Sequence, residues 1–533
     1  MPRLAALVAL LAGALLAVSV LPAEAAKGAP IHLQLLAVND LRGQLEPLTL
    51  DGRPVGGAAV LGTYLAQAVH DADAEGASSL ILGGGDLFGS SPPVSNLLDD
   101  RPIIEALGLM GLRYSALGNH ELNDGIRDFL GKQYGGCRPG GDCRAPAPYQ
   151  YLAANVIDRT TGQPVLPAYA IEKVGRVEVG IIGVAFRDTP TIVTPAGVAS
   201  LEFLDEAESV NRYVPVLRAR GIETIIVLLH GSGAGDLEGG PITGPLVPIV
   251  EALDGAVDVV MTGHSETGFV GTVDGKLVTQ AYADGTAFAA IDLVIDRKSG
   301  DVVSKQGRVV RTWGDVFPGS TPHPQIEQLI QRSRSAVAPL IDRVVGLAGA
   351  PITREQSPAG ESALGDLIAD AQRAKGGTQL AFLNPGSMRA DIEAGEVTWG
   401  ELFAVQPFRN AVIRMTLTGA QVERLLEQQW QGQPEPRILQ LSGLRYRWSP
   451  DAPVGDRIRP EDIEVGDATL DLAATYTVTV NNFIATGGDS FTVLLEGVDR
   501  EVVGGTDGEA LVEYVEALPR PFEAATDGRI GLR

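Results

Sequence analysis

What most constrains this chain is a repeated pairing. A short, wholly apolar run is followed at once by a glycine-rich turn carrying Asp, Asn or His. IHLQLLAV (31–38) runs into NDLRG, SLILGG (79–84) into GDLFGS, and RYSALG (113–118) into NHELNDG. YLAANV (151–156), VEVGIIGVAF (177–186), TIIVLLH (224–230) and VDVVMTG (257–263) continue the series. Continuous rather than alternating hydrophobicity predicts strands covered on both faces. GGAAVLGTYLAQAV and VNRYVPVLRARG, lying between strands, have helical spacing. The expectation for residues 27–318 is therefore an α/β domain, a β-sandwich flanked by helices. Its polar residues gather where such sheets place their ligands, just beyond the strand ends.

The ends and the charge narrow the function. Arg3, the apolar run LAALVALLAGALLAVSVL and the small-residue site AEA (23–25) make residues 1–26 a signal peptide, with an uncleaved anchor as the alternative. No other apolar run approaches the ~20 residues a bilayer requires, so no membrane span is expected after cleavage. The protein is expected to be exported: secreted, periplasmic or held at the cell envelope. A net charge of −24 argues against a nucleic-acid polymer or anionic lipid as partner. A small anionic substrate would then need a local cation, either a metal or arginines. Cys137 and Cys143, in GGCRPGGDCRAP, are expected to form a small-loop disulfide with a structural role.

Residues 319–346 contain TPHPQIEQLIQRSRSAVAPLIDRVVG, in which Ile326, Leu329, Ile330, Val337, Leu340, Ile341 and Val344 form one helical stripe. The spacing predicts an interdomain linker helix, kinked by Pro339. Residues 347–533 then read as a second α/β unit. SALGDLIADAQRAKGG and TGAQVERLLEQQWQ give it helices, and TYTVTV a strand running into NNFIATGGD.

Six histidines occur in the chain, and three directly follow buried strands. Together with Asp40, Asp86 and Asn119 they form an oxygen-and-imidazole set suited to zinc or another divalent transition metal. NDxxG, GGDxxxGS, GNHE, a strand ending in His-Gly, and GHxx, in that order, resemble the calcineurin-like metallophosphatase domain. ESALGDLIADA, NPGSMRADI, PFRNAVIRMTLTGAQ, LQLSGL and NNFIATGGDSF are similar to the C-terminal domain of secreted bacterial 5′-nucleotidases and bifunctional phosphoesterases. The resemblance spans essentially the whole mature chain. It implies a metallophosphatase domain, a linker helix and a 5′-nucleotidase C-terminal substrate-binding domain.

By that resemblance, Asp40 would hold a first metal and Asp86 would bridge two. Asn119, His230 and His264 would complete the second metal, and His120 would stand near the leaving group. Asn384 and Arg389 would contact phosphate or ribose. Phe483 with Asp489 would stack on and recognise the base. In such enzymes two cations lower the pKa of a bridging water and neutralise the phosphoryl oxygens.

The sequence departs from the family pattern in three places. Arg42 stands where a first-metal His is expected, Glu266 replaces the second His of GHxH, and Asn123 replaces the carboxylate that would orient His120. Asp124, beside it, is open as a substitute. Arg cannot ligate a metal, but it is a permanent cation with five donors. One reading is a mononuclear site with Arg42 forked onto Asp40 and Glu266 in place of the ion. A second keeps two metals on Asp40 and Glu266 with Arg42 swung away. Ile438 stands where many relatives have a second aromatic, so a one-sided base clamp is expected. The function expected is extracytoplasmic, metal-dependent hydrolysis of nucleotides in nucleotide catabolism, using one or two zinc, manganese or cobalt ions. No covalent intermediate is expected, because no activated Ser, Cys or Thr is evident. The alternative is a weakened or inactive exported nucleotide-binding homologue.

Overall fold

The computed structural model describes residues 29–137, 143–433 and 435–533; the signal peptide assigned to residues 1–26 lies outside them. The opening strand, Ile31–Val38, sits inside a six-stranded sheet. It pairs antiparallel with Ala287–Ile295 and parallel with Ser78–Gly83, beyond which Leu112–Ala116 and Gln150–Leu152 continue in parallel. A second six-stranded sheet sets Val177–Val184, Thr224–His230, Val259–Gly263 and Lys276–Gln280 in parallel.

The two-residue period of a strand explains the layering. Leu33, Leu35 and Ala37 pack with Val179, Ile181, Ile226, Leu228, Val259 and Met261, the apolar layer between the sheets. Leu36 and Val38, facing the other way, pack with Leu61, Leu65, Ile103 and Leu107 of the helices Ala58–Ala74 and Arg101–Met110. Ile182, Val184, Val227 and Leu229 face Val210, Val214 and Leu217 of the helix Glu206–Arg218. Both faces of each central strand are thus covered, as continuous apolar runs demand. YLAANV is the exception. The strands there are Gln150–Leu152 and Val156–Asp158, and the intervening Ala154 N–H bonds to Gly183 O at 2.7 Å.

The linker helix runs Pro324–Ile341, five residues short of the expected end. Val344 belongs to the strand Val344–Ala348, paired with Gly395–Thr398. Pro339 sits in the last turn, and the helix stops two residues later. Ile326, Leu329, Ile330, Val337 and Ile341 join the N-terminal core. The helix is therefore anchored on that domain, with Ile341 meeting Gly400 of the following one. The C-terminal unit holds a five-stranded sheet that includes Leu380–Leu383, Ala411–Thr418 and Thr475–Asn481. Cys137 and Cys143 are bonded to each other across a two-stranded ribbon. No helix of the described residues is long and apolar enough to cross a membrane.

Candidate active site

All the parallel strands of the two sheets end on one side, and their end loops are zipped together. Asp40 N–H donates to Gly85 O (3.0 Å), Arg42 N–H to Asp86 O (2.9 Å) and Gly43 N–H to Leu87 O (2.9 Å). The close approach leaves the backbone little choice. Asp40, Arg42, Asp86, His264, Glu266 and Asp284 all have φ between +44° and +85°, a region that costs on the order of 1–3 kcal/mol for a residue with a side chain. Gly118 is required on space alone, since a Cβ there would lie 2.1 Å from Asp86 Oδ1.

His230, fully buried at its strand end, donates from Nδ1 to Gly84 O at 2.8 Å. That fixes the ring and turns Nε2 towards Asn119 Oδ1 (3.2 Å) and Asp86 Oδ2 (3.2 Å). His264 packs between Phe186 and His230, at ring distances of 4.7 and 4.9 Å. Asp86, His230 and His264 offer ligand atoms within 4.8 Å of one another. Two imidazoles, a carboxylate and the Asn119 amide oxygen are donors that fit zinc, manganese or cobalt. Burial works against charge on His230, but Asp86 outweighs it and raises the imidazole to about 9. Burial also pushes Asp86 up, yet His230 and His120 beside it hold the carboxyl well below its ordinary range. His264 is lowered to about 3 by burial and by His230.

The first-metal position is built differently. Both Asp40 oxygens accept from His264 N–H (3.0 and 2.9 Å), and Oδ2 also accepts from Asn39 Nδ2 at 2.7 Å. Burial pushes this carboxyl up to about 7. The expected fork of Arg42 onto Asp40 is not formed. Arg42 instead binds Glu266 (Nη1 to Oε1, 2.6 Å) and Asp284 (Nη2 to Oδ1, 3.4 Å). Asp284, in AYADG, follows a strand as the other site residues do, yet the sequence reading passed over it. Arg42 Nε is buried with no hydrogen-bond partner among the described residues. Arg389, from the C-terminal domain, reaches within 3.6 Å of Glu266. Burial and Arg42 together lower it to about 10.

His120 turns Nδ1 to Ser90 Oγ (3.0 Å) and to the Asn123 amide, whose Nδ2 also donates to Ser90 Oγ at 2.9 Å. Ser90, rather than Asp124, is thus the further partner that orients the ring. Burial lowers His120 to about 4. Glu121, missed as a functional residue although it lies in GNHE, is the keystone beneath. Its carboxylate accepts from the N–H groups of Asp86 (3.0 Å), Leu87 (2.7 Å) and Gly118 (3.0 Å), and from the Tyr151 hydroxyl (2.9 Å).

A cavity of about 400 Å³ joins the two domains. Asn119, His120 and Asn123 line one wall; Asn384, Arg389, Phe483 and Asp489 line the other. Phe408 is a second aromatic in it, 6.2 Å from the His120 ring. Ile438 lies instead in the C-terminal core. Asp489 is held by Arg437 Nη1 (2.6 Å) and Asn384 Nδ2 (2.8 Å). Arg437, far away in sequence, had no motif to reveal it.

Two sheets back to back, with histidine and carboxylate side chains gathered at their strand ends, define a metallophosphoesterase domain. Comparison with known proteins agrees. Residues 341–496 match the model of the "5'-nucleotidase, C-terminal domain" family. The crystal structure of a 5′-nucleotidase precursor from Thermus thermophilus is 30% identical and superposes with a TM-score of 0.77, covering 94% of this chain and 99% of that one. Endonuclease YhcR of Bacillus subtilis is 33% identical over 94% of this chain, which spans only 41% of that protein. Cell wall protein Lmo0130 of Listeria monocytogenes is 29% identical over 94% of the chain and 69% of its own length. The chain belongs to the 5′-nucleotidase family of two-domain metallophosphoesterases, hydrolases that act on phosphate esters.

Proposed function

We propose that this protein is an extracytoplasmic, metal-dependent phosphoesterase of nucleotides that works with a single metal ion and an arginine. The observation that carries the reading is the shared cavity, in which one wall holds the ligand group and His120 and the other holds Arg389, Phe483 and Asp489. Asp86, Asn119, His230 and His264 would hold the ion, of the zinc, manganese or cobalt class. When bound, such an ion supplies positive charge to the phosphoryl oxygens and acidifies water.

The chain's own residues account for the rest. Arg42, pinned between Glu266 and Asp284, places a fixed positive charge and a free N–H where the first ion of a two-metal site would stand. Arg389 brings a second guanidinium from the opposite domain, so phosphate meets preorganised donors on two sides. His120, with Nδ1 taken by Ser90 and Asn123, leaves Nε2 for the leaving oxygen. Phe483 and Phe408 give the base apolar surfaces. The relative named as a cell wall protein and the N-terminal sequence support a place outside the cytoplasm.

A second reading, a nucleotide-binding protein with little turnover, is favoured by one observation. Asn123 orients His120 without the charge that would stabilise its imidazolium. The test is a panel of nucleoside monophosphates, a nucleotide sugar and an aryl phosphate with manganese, zinc or cobalt, then chelator, beside metal analysis and binding. The expected result is close to one manganese, zinc or cobalt ion per chain, with calcium counted separately, and hydrolysis abolished by chelator. Close to two manganese, zinc or cobalt ions per chain would sink the arginine reading, and binding without turnover under every metal would favour the second.

A further inference from the structure

Far from the cavity, a second carboxylate group sits where the last strand of the chain meets a helix of the C-terminal domain. Glu361 precedes Ser362, the N-cap of the helix Ala363–Gly376, and Asp366 lies in its first turn. Asp527 comes from the segment entering the strand Ile530–Leu532. These carboxylates bring ligand oxygens within 4.8 Å of one another.

The three are not equally satisfied. Glu361 accepts three backbone N–H groups, from Asp527 (2.9 Å), Gly528 (3.0 Å) and Ile530 (3.0 Å). Asp366 is 2% exposed, and neither of its carboxylate oxygens has a hydrogen-bond partner among the described residues. Its countercharge there is Arg529 Nε at 3.7 Å, and that guanidinium is already committed, Nε to Asp527 Oδ1 (3.1 Å) and the two Nη atoms to Asp370 (2.9 and 3.0 Å). Four carboxylates, Glu361, Asp366, Asp370 and Asp527, thus face two guanidinium groups, Arg529 and the Arg445 that approaches Asp527 at 3.6 Å. Two negative charges are left over, and a bare buried carboxylate beside a second one is strongly unfavourable. Asp527 is exposed and gives the group an opening to solvent.

We propose that Glu361, Asp366 and Asp527 form a structural site for a hard divalent cation, calcium in the first place, which ties the C-terminal strand to this helix. The all-oxygen donor set selects calcium or magnesium over the softer metals that suit the histidine site. The surplus of two charges matches one such ion. Asp366, otherwise without a donor, becomes a ligand.

The competing account is a proton shared between Asp366 and Glu361, and calcium distinguishes the two. Full-length protein stripped with chelator is titrated with calcium alone, following the unfolding midpoint and, by equilibrium dialysis, the bound ion. The expected result is a rise in the midpoint with saturable binding that Asp366→Asn and Asp527→Ala both lose and Asp86→Asn keeps. Asp366→Asn is isosteric and mimics the protonated carboxyl, so its fold is retained and its midpoint without calcium should equal or exceed that of the wild type. A wild-type midpoint indifferent to calcium, a rise that survives in both carboxylate variants, or one lost in Asp86→Asn would each overturn the proposal.

Discussion

Glu121 touches no cavity atom that reacts, yet four donors end on its two oxygens, among them the N–H groups of Asp86 and of Gly118, which precedes Asn119. A carboxylate offers only acceptors, whereas an amide must turn an NH₂ towards one pair of donors. Glu121→Gln should therefore cost about 1–3 kcal/mol of stability and lower metal occupancy, read by urea unfolding and metal analysis. Asp258 tests the electrostatics away from the site. Burial raises its carboxyl to about 6, against a backbone N–H bond from Ile225 at 3.0 Å. A raised folded pKa means stability that is present below the unfolded value near 4 and lost as pH rises through 6. Asp258→Asn should thus gain on the wild type between pH 4 and pH 7, by up to about 3 kcal/mol, in paired unfolding curves. The identity of such a residue is plain in the sequence. Whether it is buried, and who donates to it, is not.

At the scale of elements, the loops after the strands decide the chemistry. NDLRG and GHSE lie more than 200 residues apart in sequence, and the Arg42–Glu266 bond of 2.6 Å joins them. The pairing of these two departures was legible, because the resemblance assigns both positions to the same metal. The third partner, Asp284, was not, since only the packing of the two sheets brings AYADG against NDLRG. Arg42→His alone should leave one transition-metal ion per chain, because Glu266 gives a poorer ligand set. The Arg42→His/Glu266→His pair should bring the transition-metal count close to two, measured by elemental analysis after loading with manganese, zinc or cobalt. A double variant that still holds one ion would show that Asp40, bonded as it is by His264 N–H, is not available as a ligand. The linker helix shows a different limit. Its apolar stripe continues past Ile341 in the sequence, but Val344 pairs with Thr398 in a strand, and tertiary pairing overrides periodicity there.

At the scale of the whole molecule, the site is completed only by the meeting of two domains. Arg389 approaches Glu266 from across the cavity, and Phe408 faces His120 in the same way. Arg389→Ala should lower kcat by about 10²–10³ while metal content and the unfolding midpoint stay near wild type, since its guanidinium supports neither the ligand group nor a core. A loss of metal in that variant would assign Arg389 a structural role instead. The helix Pro324–Ile341 packs into the N-terminal core and touches the next domain at Gly400.

The sequence by itself determined the layered α/β architecture, because runs apolar on both faces have few other ways to be buried. It also determined the place of Asp86, Asn119, His230 and His264, because each lies at a strand end or within three residues of one. Tertiary structure alone decided what Arg42 pairs with, how Glu121 carries the loops, and where Phe408, Arg437 and Asp366 stand. Those contacts join segments tens to hundreds of residues apart, and no local spacing encodes the distance between two side chains that meet only when the sheets and domains close.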